Sequence, residues 1–265
     1  MVAYGFPRRD LAFDLDLAAR LGATVLEILP DWKSLPCPLE AGRRAGDAGF
    51  RIHSAHGCWG GTTITAARVD LGSTDPATWQ ASLDELKRCL DWLADAGGRC
   101  LVVHPGGLSD PDEFPRRREA LCRGLWELAD HATACELFVC VENMPPGVHP
   151  GSRMGDLVAI LAELDRPELG LALDTGHAQL VASPASETRA AGSRLRTTHV
   201  HDNNGQDTHD PPGHGAIDWG AWAESLDLVD YDGPIILECI RAIRQEPGVI
   251  DERFLALLGR LTRRR

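Results

Sequence analysis

The stretch LGLALDTGH, residues 169–177, joins an uninterrupted apolar run to an acidic residue and a histidine. An apolar run of this length predicts a strand that is buried on both faces, as in parallel sheets covered by helices. Asp174 and His177 then lie where the strand ends. Carboxylate and imidazole groups are common ligands of divalent metals. The segment therefore predicts a covered parallel sheet with metal-binding side chains at one edge.

Apolar runs of the same kind recur along the chain, and helical patterns separate them. The clearest helical patterns cover residues 10–23, 78–98, 112–132, 154–164 and 251–264, whereas residues 183–192 form a short and polar candidate. Strands that alternate with helices pair in parallel through right-handed crossovers, and eight such units close into a (β/α)8 barrel. The eight predicted strands are VAYGF (2–6), TVLEIL (24–29), FRIHSAH (50–56), CLVVHPG (100–106), LFVCVEN (137–143), LGLALDTGH (169–177), LRTTHVHDN (195–203) and GPIILEC (233–239).

A doubly wound open sheet is the alternative architecture for such an alternation. It is disfavoured because no strand is followed by a GxGxxG or phosphate-loop motif, and because polar residues end nearly every strand. The length of 265 residues is typical of one α/β barrel, and no composition shift or repeat marks a boundary. We therefore predict a single barrel domain over residues 1–265.

The amino-acid composition indicates which binding partners and which cellular compartment to expect. The formal net charge of -12 argues against a surface built to hold a polyanion such as duplex DNA. The eight cysteines include no CxxC pair, which favours free thiols in a reducing cytosol. The chain shows neither a secretory leader nor an apolar run long enough to span a bilayer, so we expect a cytoplasmic protein with no membrane partner.

Ionisable side chains concentrate at the predicted strand ends. Burying so many of them in one mouth of a barrel would be very costly without a compensating cation, so the pattern predicts a metal site there. The set contains eight of the ten histidines and four carboxylates: His53, His56, His104, Glu142, Asp174, His177, His199, His201, Asp207, His209, His214 and Glu238.

Several short motifs together carry a family resemblance. They occur in order along nearly the whole chain: HPGG (104–107), VEN (141–143), DTGH (174–177), HVHDN (199–203), DTHDPPGHGAIDW (207–219) and LE (237–238). This set resembles the xylose-isomerase-like TIM-barrel superfamily, which includes sugar phosphate isomerases and epimerases, inosose dehydratases and the endonuclease IV type of apurinic-site nuclease.

The resemblance implies a site with four metal ligands: Glu142, Asp174, His199 and Glu238. In the epimerase members, the two glutamates resemble the pair that moves a proton between opposite faces of a carbon next to a carbonyl. The metal stabilises the ene-diolate that forms when this proton leaves. The resemblance thus implies a divalent-metal-dependent isomerase or epimerase that acts on a small sugar, sugar phosphate or inosose, with Glu142 and Glu238 as the catalytic residues.

The endonuclease-like members add two further ions, and this chain has residues that match the extra ligands. His56 and His104 would join Glu142 around one ion. His177, Asp207 and His209 would hold another. The expected cofactor is therefore Zn, Mn, Co or Mg, with between one and about three ions per chain. A multi-zinc phosphoesterase, such as an apurinic-site endonuclease or a small phosphodiester hydrolase, is the alternative function.

The surroundings of the site favour a small polyhydroxylated substrate over nucleic acid, because the loops after strands four and seven are acidic or neutral. A barrel that binds metal or sugar without turnover is a third hypothesis. Whether the chain forms a homo-oligomer through its helical faces is left open. The candidate substrate-binding residues are Trp59, His201, His214, Arg241 and Asn143.

Overall fold

The computed structural model describes residues 2–3, 11–30, 32, 36–58 and 69–263. Within these ranges, eight strands form one sheet in chain order, and each neighbouring pair is parallel. The predicted parallel alternation is therefore confirmed. The strands are β1 (Val2–Ala3), β2 (Val25–Ile28), β3 (Arg51–His56), β4 (Cys100–Val103), β5 (Phe138–Glu142), β6 (Leu169–Asp174), β7 (Leu195–Val200) and β8 (Ile236–Leu237).

Helices connect the strands, with short 3-10 turns at Pro111–Glu113, Gly192–Arg194 and Pro247–Val249. Within the described ranges, none of the helices has the length and apolar character needed to cross a membrane. The helices are α1 (Leu11–Arg20), α2 (Pro38–Asp47), α3 (Pro76–Asp95), α4 (Phe114–Ala134), α5 (Met154–Leu164), α6 (Thr175–Val181), α7 (Pro184–Ala191), α8 (Trp219–Leu228), α9 (Ile240–Gln245) and α10 (Glu252–Thr262).

The largest departure from the predicted elements follows β6. The predicted strand runs to His177, but the strand ends at Asp174 and α6 begins at the next residue. The reason is local, because the Asp174 carboxylate accepts a 2.7 Å hydrogen bond from the backbone N–H of His177 and so caps the helix. The polar segment 183–192 does form a helix, α7, which Ser183 caps in the same way.

The C-terminal part of the barrel also differs from the prediction. The predicted eighth strand, 233–239, has only Ile236–Leu237 as regular strand, so Glu238 follows its last residue directly. The short helix α9 comes next, and the sequence patterns above did not include it. It is only six residues long, and a helix so short has too few positions to show a 3.6-residue period.

Two apolar layers support the strand ends. The larger layer lies between strands and helices and includes Leu101, Val139 and Leu171. The smaller layer is a separate cluster that includes Cys140 and Ala172. Each of these two residues precedes a ligand candidate by two positions and therefore shares its strand face. The smaller layer forms the apolar floor beneath the polar mouth of the barrel.

Candidate metal centre

Four strand ends bring together the ligands of the central cluster, which we define as Glu142, Asp174, His199 and Glu238. One ligand atom from each lies within 4.8 Å of the others. Nδ1 of His199 is 2.9 Å from Oε1 of Glu142 and 3.2 Å from Oε2 of Glu238. Asp174 and His199 are direct partners in the β6–β7 register, which explains why their side chains meet. The structure thus assembles all four predicted ligands.

The second group, the β3–β4 cluster, consists of His56, His104 and Glu142. Nε2 of His56 lies 3.3 Å from Oε2 of Glu142, and Nε2 of His104 lies 3.2 Å from the same oxygen. The other oxygen of Glu142, Oε1, faces His199. Glu142 therefore stands between two groups of ligands, with one carboxylate oxygen turned to each.

The third group, the β6–β7 cluster, contains His177, His201, Asp207 and His209, with ligand atoms again within 4.8 Å of one another. Nε2 of His177 is 3.5 Å from Oδ2 of Asp207, and Nε2 of His209 is 3.4 Å from Oδ1 of Asp207. Every residue predicted as a metal ligand therefore lies in one of the three clusters. That these residues bind metal remains a prediction.

Three of the histidine rings are oriented as metal ligands usually are. In His56, His177 and His209, Nδ1 lies within hydrogen-bond distance of a backbone carbonyl, at 2.7, 2.8 and 3.1 Å. Donation of the Nδ1 proton to that carbonyl leaves the Nε2 lone pair directed at the cluster. Metal-binding histidines nearly always use their second nitrogen in this way, because it fixes the tautomer and the ring.

Sequence analysis missed Glu27, a fully buried glutamate in β2. Its Oε1 lies 2.8 Å from Nε2 of His199, and its Oε2 accepts a 2.7 Å hydrogen bond from Ser54. Burial acts to raise the pKa of Glu27, but His199 and His56 outweigh it and hold that pKa below its usual range. The sequence signal that could have identified Glu27 is the presence of a glutamate inside the apolar run TVLEIL.

The central cluster carries more negative than positive charge. Three of its four members, Glu142, Asp174 and Glu238, are carboxylates, and only His199 is a histidine. Burial acts to lower the pKa of His199, yet the carboxylates of Glu27, Glu142 and Glu238 raise it well above its usual value. Such an excess of buried carboxylates is stabilised by a cation. The nitrogen and oxygen donors therefore fit a divalent ion such as Zn²⁺, Mn²⁺, Co²⁺ or Mg²⁺.

His201 is a fully buried member of the β6–β7 cluster. Its Nε2 is 2.9 Å from Oδ1 of Asp174, and its ring stacks on His209 with centroids 3.8 Å apart. The ring also explains the glycine of the DTGH motif, because a Cβ on Gly176 would lie only 1.9 Å from Cε1 of His201. These contacts place His201 as a support for Asp174 and His209, whereas its substrate contact remains a prediction.

Asn143 links two neighbouring strands. Its side-chain Nδ2 donates a 3.1 Å hydrogen bond to the carbonyl of Asp174, and its Oδ1 accepts a 2.8 Å hydrogen bond from the Asp174 N–H. This pair of bonds positions the backbone at the end of β6. A substrate contact for Asn143 remains a prediction.

Two other predicted substrate residues, His214 and Arg241, belong to none of the three clusters. His214 is exposed, with Nε2 3.9 Å from Oδ2 of Asp251, and Arg241 is exposed on α9. Their substrate roles stay predictions, and Trp59 lies outside the described residues. His53 belongs to none of the described clusters, contrary to its grouping with His56. It sits about 10 Å back along β3, since a strand rises about 3.3 Å per residue.

A second buried residue that sequence analysis did not single out, Asp202, organises the loop that carries Asp207 and His209. Its Oδ1 accepts a 3.1 Å hydrogen bond from the N–H of Ile217. Its Oδ2 accepts 2.9 Å bonds from Trp219 Nε1 and from the N–H of Gly213. The PGHGAIDW segment therefore wraps around one carboxylate, and Trp219 packs into this loop.

Comparison with known proteins places the chain in a family. A family model described as xylose isomerase-like TIM barrel matches residues 15–256. A ketose 3-epimerase from Arthrobacter globiformis is 29% identical over 180 residues, 64% of this chain and 59% of that protein. A protein named "Probable endonuclease 4" from Mycobacterium ulcerans is 27% identical over 189 residues, 67% of this chain and 72% of that protein.

Solved structures show the same fold. A crystal structure of D-psicose 3-epimerase superposes with a TM-score of 0.78 over 97% of this chain and 96% of that chain, at 18% identity. The chain spans less than two thirds of the length of the Arthrobacter epimerase. The predicted (β/α)8 barrel and family resemblance are confirmed, and the chain belongs to the xylose isomerase-like TIM-barrel family.

Proposed function

We propose that this chain is a divalent-metal-dependent isomerase or epimerase for a small sugar, sugar phosphate or inosose. The observation that carries the proposal is the pair of carboxylates at His199. Glu142 from the end of β5 and Glu238 from the end of β8 lie 2.9 and 3.2 Å from the same ring nitrogen. Two carboxylates thus share one mouth of the barrel, as a two-base reaction requires. The similarity to a ketose 3-epimerase supports the same reaction class.

The central cluster would hold the ion that the reaction uses. When bound, a divalent ion supplies Lewis-acid stabilisation of the negative charge that develops on adjacent carbonyl and hydroxyl oxygens of the substrate. Glu142, Asp174, His199 and Glu238 offer oxygen and nitrogen donors that suit such an ion. Glu27 would hold the His199 ring so that Nδ1 faces the cluster.

The two glutamates would perform the proton transfers. One carboxylate removes the proton from the carbon next to the carbonyl, through an ene-diolate, and the other returns a proton to the opposite face. Positioned bases of this kind contribute about 10²- to 10⁴-fold to the rate. Glu142 is 1% exposed, so water has little access to its carboxylate. Its contacts with the imidazole rings of His56 and His199 hold the carboxylate in one orientation.

A specific observation favours a second candidate function, phosphoester hydrolysis. Each oxygen of Glu142 faces a different group of histidines, and the β6–β7 cluster adds His177, Asp207 and His209. Three adjacent ligand groups suit a site that would hold several ions, and such ions would supply Lewis-acid activation of a water and stabilise charge on a phosphate ester. The similarity to a protein named as an endonuclease is in line with this alternative.

Metal analysis and solvent exchange together test the proposed function. We expect about one Mn, Co or Mg ion per chain, measured by inductively coupled plasma mass spectrometry. Ketoses, inososes and their phosphates incubated with the protein in D₂O should take up deuterium at the carbon next to the carbonyl. A matched Glu238→Gln variant should lose this exchange. About three zinc ions per chain, with hydrolysis of abasic DNA or simple phosphodiesters and no exchange, would favour the alternative.

Removing the metal should lower thermal stability. An ion bound only by the folded chain adds about 2.7 kcal/mol at a hundredfold excess over its dissociation constant, because binding shifts the folding equilibrium towards the folded state by mass action. A melting curve recorded after dialysis against a chelator should therefore shift to lower temperature, and adding back the ion should restore it. An unchanged melting temperature in a protein shown to have lost its metal would contradict this prediction.

Glu27→Gln should weaken metal binding by about 10- to 100-fold, the usual effect of losing a partner that orients a ligand. The amide retains the shape of the carboxylate but loses the charge beside His199. Equilibrium titration against a competing chelator measures the change. Ser54→Ala is the matched control, because it removes the 2.7 Å contact to Glu27 and leaves the contact between Glu27 and His199 in place. Equal metal affinities in Glu27→Gln and the parent chain would disprove the role of Glu27 in orienting His199.

A further inference from the structure

Three potential metal ligands meet on the outside of the barrel, where α3 packs beside α4. Asp91 belongs to α3, His131 lies in the last turn of α4, and Cys135 follows the end of α4. One ligand atom from each lies within 4.8 Å of the other two. Nε2 of His131 is 2.6 Å from Oδ1 of Asp91, and Sγ of Cys135 is 3.9 Å from the same oxygen.

We propose that Asp91, His131 and Cys135 form an exterior binding site for a divalent ion that favours thiolate and imidazole ligands, with Zn²⁺ as the expected ion. The site is separate from the three clusters at the mouth. Cys135 lies just before β5, and Glu142 is the last residue of that strand, at its opposite end. The two sites therefore occupy opposite ends of the barrel.

The local backbone arranges the ligands. His131 and Cys135 are four residues apart, a spacing that puts both side chains on one face of a helix. Asp91 reaches the same face from α3. A surface ion pair would explain the close contact between Asp91 and His131, and such pairs contribute little to stability. Cys135 adds a third potential ligand, because its half-buried thiol donates a 3.9 Å hydrogen bond to the same carboxylate oxygen.

The chemistry of the donors selects the ion. A thiolate together with an imidazole and a carboxylate suits Zn²⁺, whereas Mg²⁺ and Ca²⁺ prefer oxygen donors alone. Cys135 lies at the carboxyl end of α4, where the helix dipole attracts a cation. Asp95, one turn after Asp91 on α3, adds another negative charge to this face. An ion bound there would link α3 to α4 across the outer layer of the barrel.

Cobalt substitution tests the proposal, because Cys135 is the only sulfur donor in the four described clusters. The chain, loaded with Co²⁺ in a thiol-free buffer, should show a thiolate-to-cobalt charge-transfer band. The mouth clusters hold only nitrogen and oxygen donors and cannot give this band. Cys135→Ser should abolish it and remove one equivalent of bound Zn²⁺, while the activity at the mouth stays unchanged.

Cys122→Ser is the matched control, since Cys122 is a half-buried thiol within α4, outside the cluster. It should retain the charge-transfer band and the full zinc content. His131→Ala provides a second test of the geometry and should also lose the band. The proposal is overturned if the parent chain shows no thiolate band, or if the band persists in Cys135→Ser. Either result leaves the proposed function at the mouth untouched.

Discussion

Replacing Glu142 with glutamine should lower turnover by about 10²- to 10⁴-fold without unfolding the barrel. Glutamine has the size of glutamate but cannot accept a proton at neutral pH. Position 142 is sensitive to substitution because its two carboxylate oxygens face different histidines. Oε1 lies 2.9 Å from His199, and Oε2 lies 3.2 Å from His104. One substitution therefore removes the base and disturbs two groups of ligands. Steady-state rates on any substrate found by solvent exchange measure the loss.

Metal content and a control variant show why turnover is lost in Glu142→Gln. Metal content separates the loss of a base from the loss of an ion, since a variant that keeps its metal and loses turnover has lost proton transfer. Glu119→Gln, an exposed position on α4, should behave like the parent chain. Full activity in Glu142→Gln would reject the catalytic role of this residue. A parent chain that binds metal but turns over no sugar or phosphoester would instead support the hypothesis of a binding protein without catalysis.

Arg117→Met should destabilise the fold by about 3–5 kcal/mol, the usual cost of removing one partner from a buried ion pair. Arg117 is 5% exposed, and its Nη2 lies 2.9 and 3.0 Å from the two carboxylate oxygens of Asp70. The same side chain donates hydrogen bonds to the carbonyls of His149 and Gly107. It thus ties together the segments that follow β3, β4 and β5. Chemical denaturation measures the loss.

A neighbouring residue supplies the control. Arg118 is the next residue on α4, but it pairs with the exposed Glu163 at the surface. Arg118→Met should therefore change the denaturation midpoint little, because solvent screens such pairs. The double variant Arg117→Met/Asp70→Asn should recover part of the lost stability, since it no longer leaves a buried carboxylate facing an uncharged side chain. Equal effects for the two arginine substitutions would contradict the assigned role of the buried pair.

The prediction of the fold from sequence rested on local patterns. The runs around Cys100, Val139 and Leu171 are continuous and apolar, so they could be read as strands without knowledge of their partners. Weak elements were harder to read. The helix α6 replaced the predicted end of β6 because a single carboxylate, Asp174, caps it. Such a cap depends on side-chain direction, which hydrophobic periodicity does not contain.

The sequence by itself determined the barrel and where its polar chemistry lies. Ligand candidates such as Glu142 and His199 stand at strand ends, and parallel strands that close into a barrel must bring those ends to one mouth. Only the tertiary structure decided which oxygen of Glu142 faces which histidine, that Glu27 supports His199, and that Cys135 meets Asp91. These contacts join residues of separate elements, so they depend on strand register, helix packing and rotamers. None of these three features produces a periodic pattern in the sequence.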